Sequence, residues 1–141
     1  MSPIAHLDVP AIGRPLARYA HAVLVESGAR LLFCSGQLGA TADGSVPPDA
    51  DAQAARCFAN IGAILADAGM TPADIVRINA YVTAREHMPA YMRARDAFVG
   101  ALAPPASTLM IVVGFSRPEF LVEVEVIAAA APARPREELP A

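Results

Sequence analysis

The apolar positions along this chain fall into three patterns, and each predicts a different element. Leu121 to Ile127 alternates. Val122, Val124 and Val126 share one face of a strand, while Leu121, Glu123, Glu125 and Ile127 share the other. Two carboxylates on one strand face stand roughly 7 Å apart, from the rise per residue. Leu109 to Val113 and Leu31 to Cys34 do not alternate and predict strands covered on both faces. Leu109–Val113 is followed by a turn from Gly114 to Pro118 that leads into the alternating strand. The third pattern repeats every three or four residues. Ala54, Cys57, Phe58, Ile61, Ile64, Leu65 and Ala68 predict a helix over Asp51–Ala68, with Gln53, Arg56, Asn60 and Asp67 off its apolar stripe. Gly69 is placed to end that helix.

The intervening stretches complete the order. Met1–Arg18 is broken by Pro3, Pro10, Gly13 and Pro15 and predicts an irregular segment. Tyr19–Glu26 and Arg30–Ser35 predict a hairpin turning at Ser27-Gly28-Ala29. Gly36–Asp51 predicts a loop. Thr71-Pro72-Ala73-Asp74 has the form of a capped helical turn. Ile75–Val82 predicts a strand. A second helix from Thr83 or Glu86 to Val99 turns Met88, Tyr91, Ala94 and Phe98 inward. The chain after residue 129 predicts a frayed tail. The order is β-β-α-β-α-β-β. Two helices cover one face of such a five-stranded sheet and leave the other bare, which predicts self-association through the sheet.

Composition narrows the class. The chain has 141 residues, 55% of them hydrophobic and 18% charged, which predicts one folded domain and excludes disorder. The apolar content is scattered among charges and prolines, so no membrane span is expected. No secretory leader is visible, and Cys34 and Cys57 lie inside apolar runs, as buried reduced thiols of a cytoplasmic protein do. A net charge of -3 argues against a nucleic-acid partner. His6, His21 and His87 have no metal spacing, and neither a glycine-rich dinucleotide loop nor a nucleophile elbow occurs, so neither metal nor cofactor is expected. For His21 an interior position satisfied by a neighbour is the plainer reading. His87 is expected in solvent.

Five tags occur in order: Tyr19-Ala20-His21-Ala22-Val23, Cys34-Ser35-Gly36-Gln37-Leu38, Asp74-Ile75-Val76-Arg77, Pro105-Ala106-Ser107-Thr108, and Val122-Glu123-Val124-Glu125-Val126-Ile127-Ala128. Together they resemble the RidA/YjgF family, the reactive intermediate deaminases or L-PSP endoribonuclease-like proteins. The resemblance implies an α/β fold, a two-layer α+β sandwich of the chorismate-mutase-like type over residues 19–129. It also implies a homotrimer with a central barrel and small-molecule clefts between subunits. It carries Tyr19, Thr108 and Glu123 over as catalytic positions, with Glu123 positioning water. Ser35, Gly36, Gln37, Ala106, Ser107 and Met92 fall at substrate-binding positions.

Two of these positions depart from the pattern. Deaminating members of the family grip the substrate carboxylate with an arginine where this chain has Ala106, and carry an asparagine where it has Met92. An alanine cannot form a charge-assisted fork. Three readings follow. The first is an enzyme that hydrolyses or deaminates an enamine- or imine-type intermediate but is not a standard 2-imino acid deaminase, with Arg117, Arg14 or Arg18 as a replacement cation. The second is a non-catalytic trimer that binds a metabolite or acts like a chaperone. The third is RNA cleavage, which the acidic balance disfavours. Glu125 is expected at a rim or in an intersubunit salt bridge.

Overall fold

The computed structural model describes residues 1–133 of the chain. It contains six strands: β1 (Ile4–Leu7), β2 (Ala22–Val25), β3 (Arg30–Leu38), β4 (Ile75–Val82), β5 (Ala106–Ile111) and β6 (Val122–Ala130). Two helices, α1 (Ala50–Asp67) and α2 (Met88–Val99), follow β3 and β4. The fold is α/β, as expected, with both helices packed on one sheet.

Alternation in β6 decides the layering. Val122, Val124 and Val126 are buried against the helices. They meet Cys57, Phe58, Ile61 and Leu65 of α1 and Tyr91 and Val99 of α2 in one core, joined by Ile78, Ala80 and Val82 of β4. The main sheet runs β3-β6-β4-β5. β6 is antiparallel to both of its neighbours, whereas β5 is parallel to β4 because α2 carries the chain back across the sheet. β5 and β6 are therefore consecutive in sequence but separated by β4.

Helix ends follow their local chemistry. The Asp49 carboxylate accepts a hydrogen bond from the Ala52 amide at 2.8 Å and caps α1. Gly69, at φ 69°, reverses the chain after it. The Thr71–Asp74 turn forms as the sequence predicts, with the Thr71 amide donating to the Asp74 carboxylate at 2.8 Å.

Several expectations are corrected. The segment before Tyr19 is not wholly irregular, because β1 forms and pairs antiparallel with β2, Ile4 opposite Val25 and Leu7 opposite Ala22. The predicted hairpin between the first two expected strands is absent: β2 takes β1 as its partner, and β3 pairs with β6. The five-stranded sheet is thus a four-stranded sheet beside a two-stranded ladder. One bridge, Ala20 to Ala106, links the segment before β2 to β5.

β3 also runs three residues past its expected end. It takes in Gly36, Gln37 and Leu38, with a register shift between Cys34 and Gln37. Within one chain, Met110 and Ile111 of β5 are about half exposed, and Val113 lies beyond the strand in solvent. His87 is half-buried rather than solvated.

Gln53 is not off the core but fully buried. Its Nε2 donates to the carbonyls of Pro47 and Glu119, and its Oε1 accepts from the Leu121 amide, each at 2.8 Å. A helix stripe read from apolar residues misses a glutamine whose polar atoms are all satisfied inside. Of the predicted tail, Ala130 closes β6, and the part beyond residue 133 lies outside the described residues. No described helix is long and apolar enough to cross a membrane.

Candidate active site on the open sheet face

The face of the main sheet turned away from the helices is mixed rather than uniformly apolar. Its margins are greasy: Leu31 and Phe33 on β3 are 52% and 70% exposed, and Met110 on β5 is 54% exposed. Its centre is polar. The Arg77 guanidinium donates through Nε to Asn79 Oδ1 and through Nη2 to Thr108 Oγ1, both at 2.8 Å. Asn79 Nδ2 donates to Glu125 Oε1 at 3.3 Å, and the Tyr81 hydroxyl donates to the same oxygen at 2.8 Å. A chain of hydrogen bonds thus crosses β5, β4 and β6. Glu125 is a member of this network rather than a free rim acid, and its carboxylate pushes the Tyr81 hydroxyl pKa up.

Glu123 differs from Glu125 although both lie on one strand face. It has no hydrogen-bond or ion-pair partner among the described residues. Burial and, after it, repulsion from Glu125 raise its carboxyl pKa above the ordinary glutamate value. It stands opposite Leu38 on β3 and Tyr81 on β4. Gly36 makes room for it: a β-carbon at residue 36 would come within 2.8 Å of the Glu123 carboxyl carbon. Ser35 is exposed, and Gln37 folds back to the Ser35 carbonyl at 3.1 Å. A cavity of about 270 Å³ opens beside this turn, lined by Phe33, Cys34, Ser35, Asn79, Glu125 and Ile127.

The expected site residues form two groups, not one. Tyr19, Ala106 and Ser107 lie where the N-terminal segment meets β5: the Ala20 amide donates to the Pro105 carbonyl at 2.9 Å. Glu123, Gly36 and Gln37 lie at the other end of the sheet. On β4, Arg77 is opposite Ala106 and Tyr81 is opposite Glu123. Those four residues of separation amount to roughly 13 Å along the strand. Within one protomer the two groups do not converge. Thr108 lies between them, held by Arg77. Met92 does not join either group, because it packs on the helix side against the core.

The candidate replacement cations differ in what they already hold. Arg117, in the loop before β6, pairs with Glu119 at 3.1 Å and lies over the Phe120 ring at 4.7 Å. Arg18 donates to the Gly100 carbonyl at 2.8 Å and sits 3.9 Å from Asp96. Arg14 is exposed and has no partner among the described residues. Arg77 was not anticipated as a member of the site. The register that sets it beside Ala106 is a long-range pairing with no local sequence signal.

The cysteines have no nucleophilic setting. Both are buried free thiols, and burial, with Glu123 adding to it, pushes Cys57 up to about 12. His21 is an interior residue with a partner, its Nδ1 accepting from the Val9 amide at 2.9 Å.

Comparisons with known proteins agree with this architecture. A family model described as endoribonuclease L-PSP matches residues 11–130. The RutC family protein YjgH of Escherichia coli (strain K12) is 38% identical over 71 residues. That match covers 50% of this chain and only 53%, about half, of YjgH. Among solved structures, the conserved Rid-family protein YyfB from Yersinia pestis superposes with a TM-score of 0.81 at 28% identity. It covers 89% of this chain and 98% of its own. A structure of protein YJGH gives a TM-score of 0.67 at 32% identity, covering 82% of this chain and 86% of its own.

Proposed function

The chain belongs to the endoribonuclease L-PSP family, the RidA/YjgF proteins, and on that premise we propose that it hydrolyses an enamine- or imine-type intermediate in a pocket shared between copies of itself. The observation that carries this reading is Glu123, a carboxylate without a partner, partly desolvated and seated over a glycine. A carboxylate in that setting is free to hold a water molecule and take its proton. Water adds to the carbon of the C=N bond, and its proton passes through Glu123 to the nitrogen. Collapse of the carbinolamine then gives the carbonyl product and ammonia. In this reading Thr108 and Tyr19 donate hydrogen bonds to the substrate. The Thr108 hydroxyl already accepts from Arg77, which leaves its own proton to give.

The shared pocket rests on the separation between the two groups of site residues. A neighbour placed head to tail brings the Glu123 end of one sheet to the Tyr19 end of the next. Repeated around an axis, that contact closes into a ring. It also covers Leu31 and Phe33, which are costly to leave on an open edge strand. We propose a homotrimer on these grounds, and a soluble cytoplasmic protein acting on a small molecule. Because position 106 is alanine, turnover of ordinary 2-imino acids is slow.

The test is ammonia release from a panel of imines and enamines. The reading expects turnover that Glu123→Gln abolishes, and unchanged turnover in that variant overturns it. One observation favours binding without chemistry, namely Ala106 in place of the arginine. Intact ligand recovered from the pocket with no ammonia release from any panel member decides for that alternative.

A further inference from the structure

The hydrogen bonds across the open sheet face run in one direction. β4 alternates: Ile78, Ala80 and Val82 are buried in the core, and Arg77, Asn79 and Tyr81 are half-buried on the open face. Glu125 Oε1 accepts from the Tyr81 hydroxyl at 2.8 Å and from Asn79 Nδ2 at 3.3 Å. With its amide nitrogen turned to Glu125, Asn79 presents Oδ1 to Arg77, whose Nε donates to it at 2.8 Å. Arg77 Nη2 then donates to Thr108 Oγ1 at 2.8 Å.

The two charged members fix that direction. An ionised carboxylate only accepts, and a guanidinium only donates. Neither reverses its role, so one orientation of the Asn79 amide serves both neighbours. A threonine hydroxyl, by contrast, ordinarily turns its proton to suit whatever acceptor is near. Thr108 has lost that freedom towards β4. Its Oγ1 takes a guanidinium proton, and its own proton points elsewhere. Thr108 is exposed, so that proton is left to the open side of the sheet.

We propose that Arg77 is a positioning residue that aims the Thr108 hydroxyl at the substrate as a donor, an inference that rests on the role given to Thr108 in the proposed function and adds the residue that sets it. Arg77 acts through Thr108 and is itself held by Asn79, which Glu125 orients. A cationic donor also polarises the hydroxyl it feeds, which strengthens the bond that the hydroxyl gives. A donor aimed in advance favours the transition state over the ground state where charge develops on the atom it meets, so its loss falls in kcat.

The test is steady-state ammonia release from the imine panel by wild type, Arg77→Met, Arg77→Lys, Thr108→Val and the two double variants. Arg77→Met is expected to lower kcat about tenfold and to leave KM within about twofold. Arg77→Lys keeps a cationic donor and is expected to stay within about threefold of wild type. The double-mutant cycle decides the role. Once Thr108→Val has removed the hydroxyl, neither change at residue 77 lowers kcat further, whereas a merely structural arginine gives losses that multiply. Circular dichroism checks folding. If Arg77→Met does not fold, the smaller loss in Arg77→Lys, which must also vanish beside Thr108→Val, decides in its place.

Unchanged kcat in Arg77→Met, a loss confined to KM, or losses that multiply in the cycle overturn the proposal, as does wild-type turnover in Thr108→Val. A protein inert towards every imine overturns it together with the proposed function. Turnover that Glu123→Gln abolishes and Arg77→Met spares overturns this inference alone.

Discussion

Glu123 occupies the space that any side chain at residue 36 would need. A β-carbon built on Gly36 meets the Glu123 carboxyl carbon at 2.8 Å. The obstacle is the far end of a flexible side chain, so it can swing away. Gly39 offers a contrast, because its β-carbon would stand 2.6 Å from Gln53 Cβ and 2.8 Å from Gln53 Cα, and the α1 backbone cannot move aside. Gly36→Ala is expected to cost about 1 kcal/mol or less in stability and to lose the activity that depends on Glu123. Gly39→Ala is expected to cost about 2–3 kcal/mol, the upper part of the usual range for overpacking. Urea unfolding of both variants, with turnover of the first, checks the pair.

Glu123 also gives stability a pH signature. Its folded pKa is raised, so the folded state holds this proton more tightly than the unfolded chain does. Below the ordinary value of 4.5 both states are protonated and the group has no net effect. As pH rises from there through the raised value, its ionisation costs folding free energy. Glu123→Gln removes that cost. The variant is expected to unfold at a higher urea concentration than wild type at pH 7, with the difference vanishing below pH 4. Unfolding midpoints at the two pH values decide it.

Gln53 is expected to be the polar side chain whose loss destabilises the fold most. Its three hydrogen bonds at 2.8 Å tie α1 to the Pro47 turn and to the loop that enters β6. Gln53→Leu leaves two carbonyls and one amide without partners and is expected to cost about 2–4 kcal/mol. The check is a lower midpoint at an unchanged denaturant slope.

Phe33 is 70% exposed on an edge strand. In the proposed assembly it is covered. Phe33→Asp is expected to leave the helix and strand content unchanged by circular dichroism while dissociating the oligomer and abolishing imine turnover. An assembled and active Phe33→Asp protein removes this face from the interface.

The sequence was legible wherever a local period carried the information. The alternation of Val122, Val124 and Val126 gave the buried face of β6, and the three-to-four spacing from Ala54 to Ala68 gave α1 within a residue or two. What stayed hidden was long-range. Nothing local says that β2 pairs with Ile4–Leu7 rather than with β3, or that β6 inserts between β3 and β4. Polar residues misled for a related reason. Gln53 read as off the apolar stripe, and Glu125 as a rim or intersubunit acid, because their partners, Leu121 and Tyr81, lie 68 and 44 positions away. The family tags named Tyr19, Ala106 and Glu123 but could not say that these stand at opposite ends of one sheet.

That separation makes the mass of the protein in solution the most direct test. A pocket built from the Tyr19 end of one sheet and the Glu123 end of another needs neighbours. Light scattering coupled to size exclusion is expected to give three times the 14.7 kDa mass of the chain. A single species at 14.7 kDa, stable across micromolar concentrations, would contradict the account.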